Sequence, residues 1–238
     1  MLDRRRLSDR RLATLFLLVL ASGLCVALAA ARVMLSGSAR YDFLVWNLVL
    51  AWIPFLVGIA VYDGHRRGAS PVVLGGLSLV WLVFFPNAPY ILTDFIHLKA
   101  SPAAPLWFDG LMLAAFAGTG LLLGFASLYL VQVVVRGRLG ARAGWLLVFS
   151  VLTLGSFGVL VGRLGRFNSW DVVARPAHLA SRIAEHAANP LAHLGALALM
   201  VTLAGLLSFA YLLLYSLVQA GIDLERPSRL QARRSEIE

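Results

Sequence analysis

Charged residues are scarce in this chain, because only 14% of its 238 residues are Asp, Glu, Lys or Arg. A soluble domain of this size has nearer a quarter of its residues charged. Hydrophobic residues make up 60%, and the mean hydropathy is +0.80. This composition excludes a single water-facing globule, which could not hide so much apolar surface, and it predicts that a bilayer is the main solvent.

Cysteine is also scarce. The one cysteine, Cys25, lies inside an apolar run, which excludes an intramolecular disulfide and a metal site built from several cysteines. The cores of the long apolar runs lack charged residues, which argues against a proton-coupled pump with a titratable group at depth. They carry glycines at spacings that allow close helix packing. These are Gly118, Gly120, Gly124, Gly155, Gly158 and Gly162.

Six long apolar runs predict six transmembrane helices, since about 20 apolar residues cross the hydrocarbon core. They are Leu12–Ala31, Phe43–Tyr62, Val72–Leu92, Leu106–Val135, Gly144–Gly162 and Leu191–Gln219. The first follows a basic leader, but its apolar core is longer than that of a secretory signal, so we interpret it as a retained anchor. The chain then divides into a basic cytoplasmic N-terminus (1–11), one transmembrane helical domain (12–219) and a charged cytoplasmic tail (220–238) that we expect to be mobile.

Arginine and lysine predict the orientation of these spans. With the N-terminus inside, fourteen of them fall in inner segments and seven, including Arg32 and Lys99, in outer segments. The positive-inside rule therefore predicts a multi-pass protein of the cell membrane with both termini in the cytoplasm. The net charge of +9 is spread between apolar runs, which favours topology signals and contact with membrane lipids over binding of nucleic acid.

Residues 81–109, WLVFFPNAPYILTDFIHLKASPAAPLWFD, give the strongest functional signal. Here an apolar run breaks at Pro86 and Pro89 and gives way to polar residues, which are costly near hydrocarbon unless they have partners. Each proline lacks an N–H and disfavours helical geometry in the residue before it, so the third span is predicted to end or break near Phe85. Asn87 is placed to cap a new short helix that begins near Pro89.

On that short helix Tyr90, Asp94 and His97 share one face, at i, i+4 and i+7. We expect this amphipathic segment either in the outer headgroup layer or folded back into the bundle. A simpler interpretation is a loop anchor, with Tyr90 in the aromatic belt. A second interfacial helix is predicted over 176–188. The predicted fold class is all-α: about six transmembrane helices with two short interfacial helices on the outer face.

Four polar segments, distant in sequence, fall on the outer side in this topology. They are Trp46–Asn47, FPNAPYILTDFIHL, Trp107–Asp109 and Gly162–Asp171. Asp94 and His97 are the candidate catalytic pair, either as an acid–base pair or as metal ligands together with Asp109 and Asp171. The alternative is a hydrogen bond between Asp94 and His97 that only stabilises the segment.

Arg163 and Arg166 lie three residues apart at the outer end of the fifth span, where they are suited to bidentate binding of a phosphate or carboxylate. The alternative is a salt bridge from one of them to Asp94, Asp109 or Asp171. The full set of candidate binding residues is Asn87, Tyr90, Asp109, Arg163, Arg166, Asn168 and Asp171. The sequence indicates no particular cofactor, metal or oligomeric state.

The strings WNLVLAWIPF, WLVFFPNAPYILTDFIHL, WFD and GRFNSWD together resemble an uncharacterised bacterial integral-membrane family, a domain of unknown function with several transmembrane helices. The resemblance covers about Tyr41 to Gln219. It implies a polytopic protein of the bacterial inner membrane, within the cell envelope. It brings no activity, ligand or catalytic residue.

The leading hypothesis is an extracytoplasmic polar pocket that binds or processes a lipid headgroup or a lipid-linked envelope precursor, an anionic ligand. Whether the protein is an enzyme stays open. One alternative is a permease or channel subunit whose broken third span lines a path, as broken helices do in transporters. Another is a non-catalytic assembly or scaffold protein that packs a partner against its glycine-rich faces.

Overall fold

The computed structural model describes residues 2–100, 104–165, 174–177, 181, 184 and 194–235, with side chains left out for 2–10, 164–165 and 221–235. Its elements are α1 (Leu2–Ser36), α2 (Phe43–Arg66), α3 (Pro71–Phe84), α4 (Asn87–Tyr90), a 3₁₀ helix (Ile91–His97), α5 (Leu106–Leu139), α6 (Ala141–Gly165) and α7 (Leu194–Ser235). The described residues contain no β-strand, so the all-α prediction is confirmed.

Six helical stretches are long and apolar enough to cross a membrane. They are Arg11–Ser36, Phe43–Arg66, Pro71–His97, Leu106–Leu139, Ala141–Arg163 and Leu194–Ala220. The prediction of a polytopic membrane protein with six spans is therefore confirmed. The first and last helices of the chain are longer than the predicted spans. Helix α1 includes the basic leader, and α7 continues to Ser235 through the segment that we expected to form a mobile tail.

Local sequence explains where several helices begin and end. Ser70 accepts a hydrogen bond from Val73 N at 3.4 Å, and Pro71 occupies the first turn of α3, where its missing N–H costs nothing. Gly68 and Gly140 follow α2 and α5 with φ of +77° and +90°. Only glycine adopts these angles without strain, so the two residues end their helices and reverse the chain.

The centre of the bundle is α5, which packs against α1, α2, α6 and the short helices. On one side, α1, α2 and α5 share an apolar core that includes Leu44, Met112 and Phe116. On the other, α3, α5, α6 and α7 share a second core that includes Trp81 and Leu152. The apolar side chains left exposed on the outer helices are those expected to face lipid.

The third span breaks at the two prolines. Helix α3 ends at Phe84, and the single turn of α4 leads into the 3₁₀ helix. Ala88 and Ile91 are fully buried. Glycines of α5 and α6 make room for them: a Cβ on Gly120 would lie 2.9 Å from the carbonyl oxygen of Ala88, and one on Gly158 would lie 2.6 Å from Cγ of Pro86.

The broken segment therefore packs within the bundle, which is the second of the two positions left open by the sequence. An interfacial location of the 87–97 helix is not confirmed. The second predicted interfacial helix, 176–188, lies mostly outside the described residues. The periodicity also differs from the prediction, because a 3₁₀ helix repeats every three residues and stacks Ile91, Asp94 and His97 in one row.

Candidate functional site

Asp94 is the centre of a polar cluster at one end of the bundle. Its carboxylate is only 1% exposed, and each oxygen has a donor. Asn47 of α2 donates to Oδ2 at 2.9 Å, and Arg163 of α6 donates to Oδ1 at 3.0 Å. A buried carboxylate is stable only with such partners. The third span breaks near this charge, and α2 and α6 supply its donors.

Arg163 is the most connected side chain of the cluster. Besides Asp94, its guanidinium donates to the carbonyl oxygen of Thr93 and, at 3.3 Å, to the hydroxyl of Tyr90. It also lies 5.1 Å from the centre of the Tyr90 ring. Its side chain is 17% exposed, and its Nε is buried without a partner among the described residues. The guanidinium is therefore held in place while one of its donors is unused.

His97 lies on the other side of Arg163, with Nε2 at 3.4 Å from Nη1 of that arginine. Nε2 must accept in this contact, which favours the neutral tautomer with its proton on Nδ1. The imidazole packs edge-on against Phe43, with ring centres 5.1 Å apart. The carbonyl oxygen of His97 accepts hydrogen bonds from Tyr41 at 3.2 Å and from Arg40 at 3.3 Å. These contacts fix the end of the 3₁₀ helix against the start of α2.

A second ion pair lies at the same end of the bundle and was not predicted. Arg32 of α1 donates from Nε to Oδ1 of Asp109 at 2.5 Å and from Nη2 to Oδ2 at 3.3 Å. Both side chains are almost completely buried. The ring of Tyr41 covers the pair, with its centre 5.7 Å from the guanidinium. Burial raises the pKa of Tyr41, and the charge of Asp109 raises it further.

The predicted spans place Arg32 in an outer loop, as a residue that marks the topology. It lies instead inside α1, which continues to Ser36. The signal was present, because the apolar residues Val33, Met34 and Leu35 follow Arg32 and continue the run. Asp109 was expected on the outer side, as a possible metal ligand together with Asp94 and His97. It is fully buried, and the hydrogen bonds described for it lead to Arg32.

Of the other predicted site residues, Asn87 donates from Nδ2 to the carbonyl oxygen of Phe84 at 2.9 Å. The predicted capping position is taken by Pro86, so Asn87 serves the end of α3 rather than the start of the next helix. Tyr90 contacts Arg163, as described above. Three predicted binding residues lie outside the described residues. They are Arg166, Asn168 and Asp171.

This arrangement limits the chemistry of the cluster. Within the described part of the chain, no three His, Cys, Asp or Glu side chains are close enough together to hold a metal ion. Arg163 donates to Oδ1 of Asp94 and also contacts Nε2 of His97, so it joins the two members of the predicted pair. The predicted alternative, a salt bridge from Arg163 to Asp94, is present at 3.0 Å. The side chains of Arg163, Tyr90 and His97 are each partly exposed, so all three can contact an anionic oxygen.

Comparison with known families gives one match. A family model described as a protein of unknown function, DUF1361, matches residues 46–216. The chain belongs to the DUF1361 family. The matched region begins within α2 and ends within α7, and it therefore includes most of the polar cluster, but Arg32 and Tyr41 precede it. Curated proteins give no match to the chain, and neither do solved structures.

Proposed function

We propose that this membrane protein binds the anionic headgroup of a lipid or lipid-linked envelope precursor at the outer end of its bundle. The supporting observation is the contact between three distant segments, in which Asn47, Asp94 and Arg163 form one hydrogen-bonded cluster with partly exposed neighbours. Arg163 binds the headgroup, with Tyr90 and His97 beside it. Asp94 positions Arg163.

The charge around the cluster favours an anion. Asp94 neutralises one positive charge, that of Arg163. The exposed side chains of Arg40 and Lys99 add two positive charges near the end of the 3₁₀ helix, and Arg40 is held there by its hydrogen bond to the carbonyl of His97. The side chain of Arg163 is 17% exposed, so its accessible N–H groups can also donate to a phosphate oxygen. If the bound headgroup is also processed, His97 is the candidate for proton transfer.

Binding is tested in nanodiscs with two probes, phosphatidylglycerol and a polyisoprenyl phosphate, and with phosphatidylcholine as the uncharged comparison. We expect Tyr90→Phe and His97→Gln to weaken binding of an anionic probe by about threefold to tenfold, since each removes one polar contact beside Arg163. Arg163→Lys should weaken it more, because lysine cannot reproduce the fork of donors. Arg142→Gln, an exposed arginine at the other end of the bundle, is the control.

Unchanged affinity of all three cluster variants for both anionic probes would exclude this function. Thermal unfolding of each variant separates lost binding from lost folding, and Tyr90→Phe is the mildest of the three. A second readout is the release of free phosphate or headgroup from a bound probe. If His97→Gln still binds the probe but no longer releases phosphate or headgroup, the proton-transfer role is assigned to His97.

The proposal also requires the cluster to face away from the cytoplasm, as the positive-inside rule predicts. Cys25 is the one cysteine of the sequence, so a Cys25→Ala chain gives a cysteine-free background. Lys99→Cys in that background should react with an impermeant maleimide on intact cells, whereas Arg67→Cys should react only after permeabilisation. The opposite labelling pattern would place the cluster in the cytoplasm and exclude an outer-leaflet headgroup.

A second candidate function is a permease, favoured by the burial of the broken third span between α2, α5 and α6. Broken helices inside a bundle form the substrate sites of several transporters. Proteoliposome flux of small anions would distinguish the two functions. If the wild-type chain conducts small anions and Arg163→Lys reduces that flux, transport is favoured. If the chain binds headgroups without any flux, the headgroup-binding function is favoured.

A further inference from the structure

A cavity of about 580 Å³ lies between α1, α2 and α5, at the end of the bundle away from the Asp94 cluster. Asp63 borders this cavity and Asn47 belongs to the cluster, and both are in α2. Their separation of sixteen residues corresponds to about 24 Å along the helix. The two features are therefore separate, and the inference below does not depend on the proposed function.

Apolar side chains form most of the cavity wall. Leu15 of α1, Phe55 and Ile59 of α2, and Leu130 of α5 are among them. Leu12 also lines the cavity and is 63% exposed, so this edge opens towards the surrounding lipid. The volume is within the range of about 300–1,000 Å³ that small-molecule and cofactor sites occupy.

The cavity is a groove between α1, α2 and α5, and the contacts between α1 and α2 explain why it exists. Further along α1, the hydroxyl of Ser22 accepts a hydrogen bond from Trp52 Nε1 at 3.0 Å, so α1 is held directly against α2 there. Nearer its start, α1 is connected to α2 by the long side chain of Arg11. A gap remains between these two connections, and apolar residues line it.

One end of the groove is polar and positively charged. Arg11 donates to Oδ1 of Asp63 at 3.2 Å and lies 4.8 Å from the centre of the Tyr62 ring. Its side chain is 43% exposed, so the guanidinium can reach a further acceptor. The described arginine side chains at this end of the bundle are Arg11, Arg66, Arg67, Arg136, Arg138 and Arg142. Asp63 is the one acidic side chain described there.

We infer that the groove between α1, α2 and α5 is a binding site for one anionic phospholipid. One acyl chain lies along the apolar wall, entering past Leu12, and the phosphate binds Arg11 at the charged end. The phosphate and Asp63 compete for the same guanidinium, so Asp63 limits the affinity. Under the predicted orientation the lipid comes from the cytoplasmic leaflet, where positive charge is expected to meet anionic headgroups.

Competition between Asp63 and the phosphate gives a test with two variants of opposite sign. The protein is delipidated in detergent, and phosphatidylglycerol or phosphatidylcholine is titrated back and counted by native mass spectrometry. Arg11→Gln should weaken binding of phosphatidylglycerol by about tenfold, and Asp63→Asn should strengthen it. Phosphatidylcholine should bind more weakly than phosphatidylglycerol to the wild-type chain. If the ion pair only holds α1 against α2, both variants should instead weaken binding.

The apolar part of the site is tested by filling it. Leu15→Trp places a larger side chain in the groove and should remove one bound phosphatidylglycerol from the count, whereas Leu17→Trp, at a lipid-facing position that is 62% exposed, should leave the count unchanged. Equal binding in these two variants would overturn the inference. The inference would also be overturned if the wild-type chain forms a dimer and Leu15→Trp does not, because a second copy of the chain would then cover the groove.

Discussion

Arg32 and Asp109 form a two-point ion pair inside the bundle, across 77 residues of sequence. Their side chains are 2% and 1% exposed, so both charges are withdrawn from water and lipid alike. The pair joins α1 to α5 near the end that also holds the Asp94 cluster. Tyr41 connects the two sites, since its ring covers Arg32 and its hydroxyl donates to the carbonyl oxygen of His97.

Removing one member of this pair should be strongly destabilising. Asp109→Asn or Arg32→Gln leaves a buried charge without its partner, and we expect a loss of about 3–5 kcal/mol in the free energy of unfolding. The double variant Arg32→Met/Asp109→Leu should recover most of that loss, because neither charge then needs a partner. Denaturant unfolding in micelles measures the free energy of unfolding of the two single variants and the double variant.

The control for that series is the exposed Arg11–Asp63 pair, where Asp63→Asn should cost no more than about 1 kcal/mol. A small effect of Asp109→Asn, similar to that of Asp63→Asn, would contradict the buried pair. Failure of the double variant to recover stability would show that the shape of the two side chains matters more than their charge.

Sequence alone predicted the number of spans, because long apolar runs report directly on membrane crossing. It also predicted the break near Phe85, since the effect of proline on the backbone is local. Arg32 was misplaced because a buried charge is tolerated only where a partner neutralises it, and Asp109 is too far along the chain for spacing to reveal it. Arg163 was predicted as a partner of Asp94 only as one of several alternatives, because helix packing selects among arginines that the sequence leaves equivalent, and Asn47 was not predicted as a partner.

Glycine substitutions in α5 test the packing of the broken segment. Gly120→Ala would place a Cβ 2.9 Å from the carbonyl oxygen of Ala88, so backbone must move. We expect a loss of about 1–3 kcal/mol in the free energy of unfolding. Gly118→Ala is the matched control, since nothing lies within 4 Å of its added Cβ, and it should be neutral or stabilising by about 0.5–1 kcal/mol.

The same pair of glycines also reports on the cluster. If the broken segment positions Asp94, displacing it by Gly120→Ala should weaken anionic-probe binding, whereas Gly118→Ala should not. Equal stability and equal binding in the two variants would show that the segment does not pack tightly against α5.

Asn47 should contribute to stability through the carboxylate of Asp94. Asn47→Ala leaves Oδ2 of Asp94 buried without the donor that lies 2.9 Å away, and we expect a loss of about 1–3 kcal/mol. Asn47→Asp should cost more, because it brings a second carboxylate to the same place. Thermal unfolding shows which of the two variants is less stable. If Asn47→Asp is as stable as Asn47→Ala, or more stable, the result contradicts this geometry.

Alkaline pH should weaken the fold through Tyr41, whose pKa is raised by burial and by the charge of Asp109. A group with a raised folded-state pKa contributes stability that is complete below its unfolded pKa, about 10 for tyrosine. That stability is lost as the pH rises through the folded pKa, because the unfolded chain releases the proton first. The loss is about 1.4 kcal/mol for each unit of difference between the two pKa values.

The measurement is denaturant unfolding in micelles at several alkaline pH values, with the phenolate absorbance followed in parallel. Tyr41→Phe cannot ionise, so its stability should decline less at alkaline pH than that of the wild-type chain. It should start lower by about 1 kcal/mol, since it lacks the hydrogen bond to the carbonyl oxygen of His97. Parallel curves for the two proteins would show that Tyr41 ionises equally readily in the folded and unfolded chains, which its burial beside Asp109 argues against.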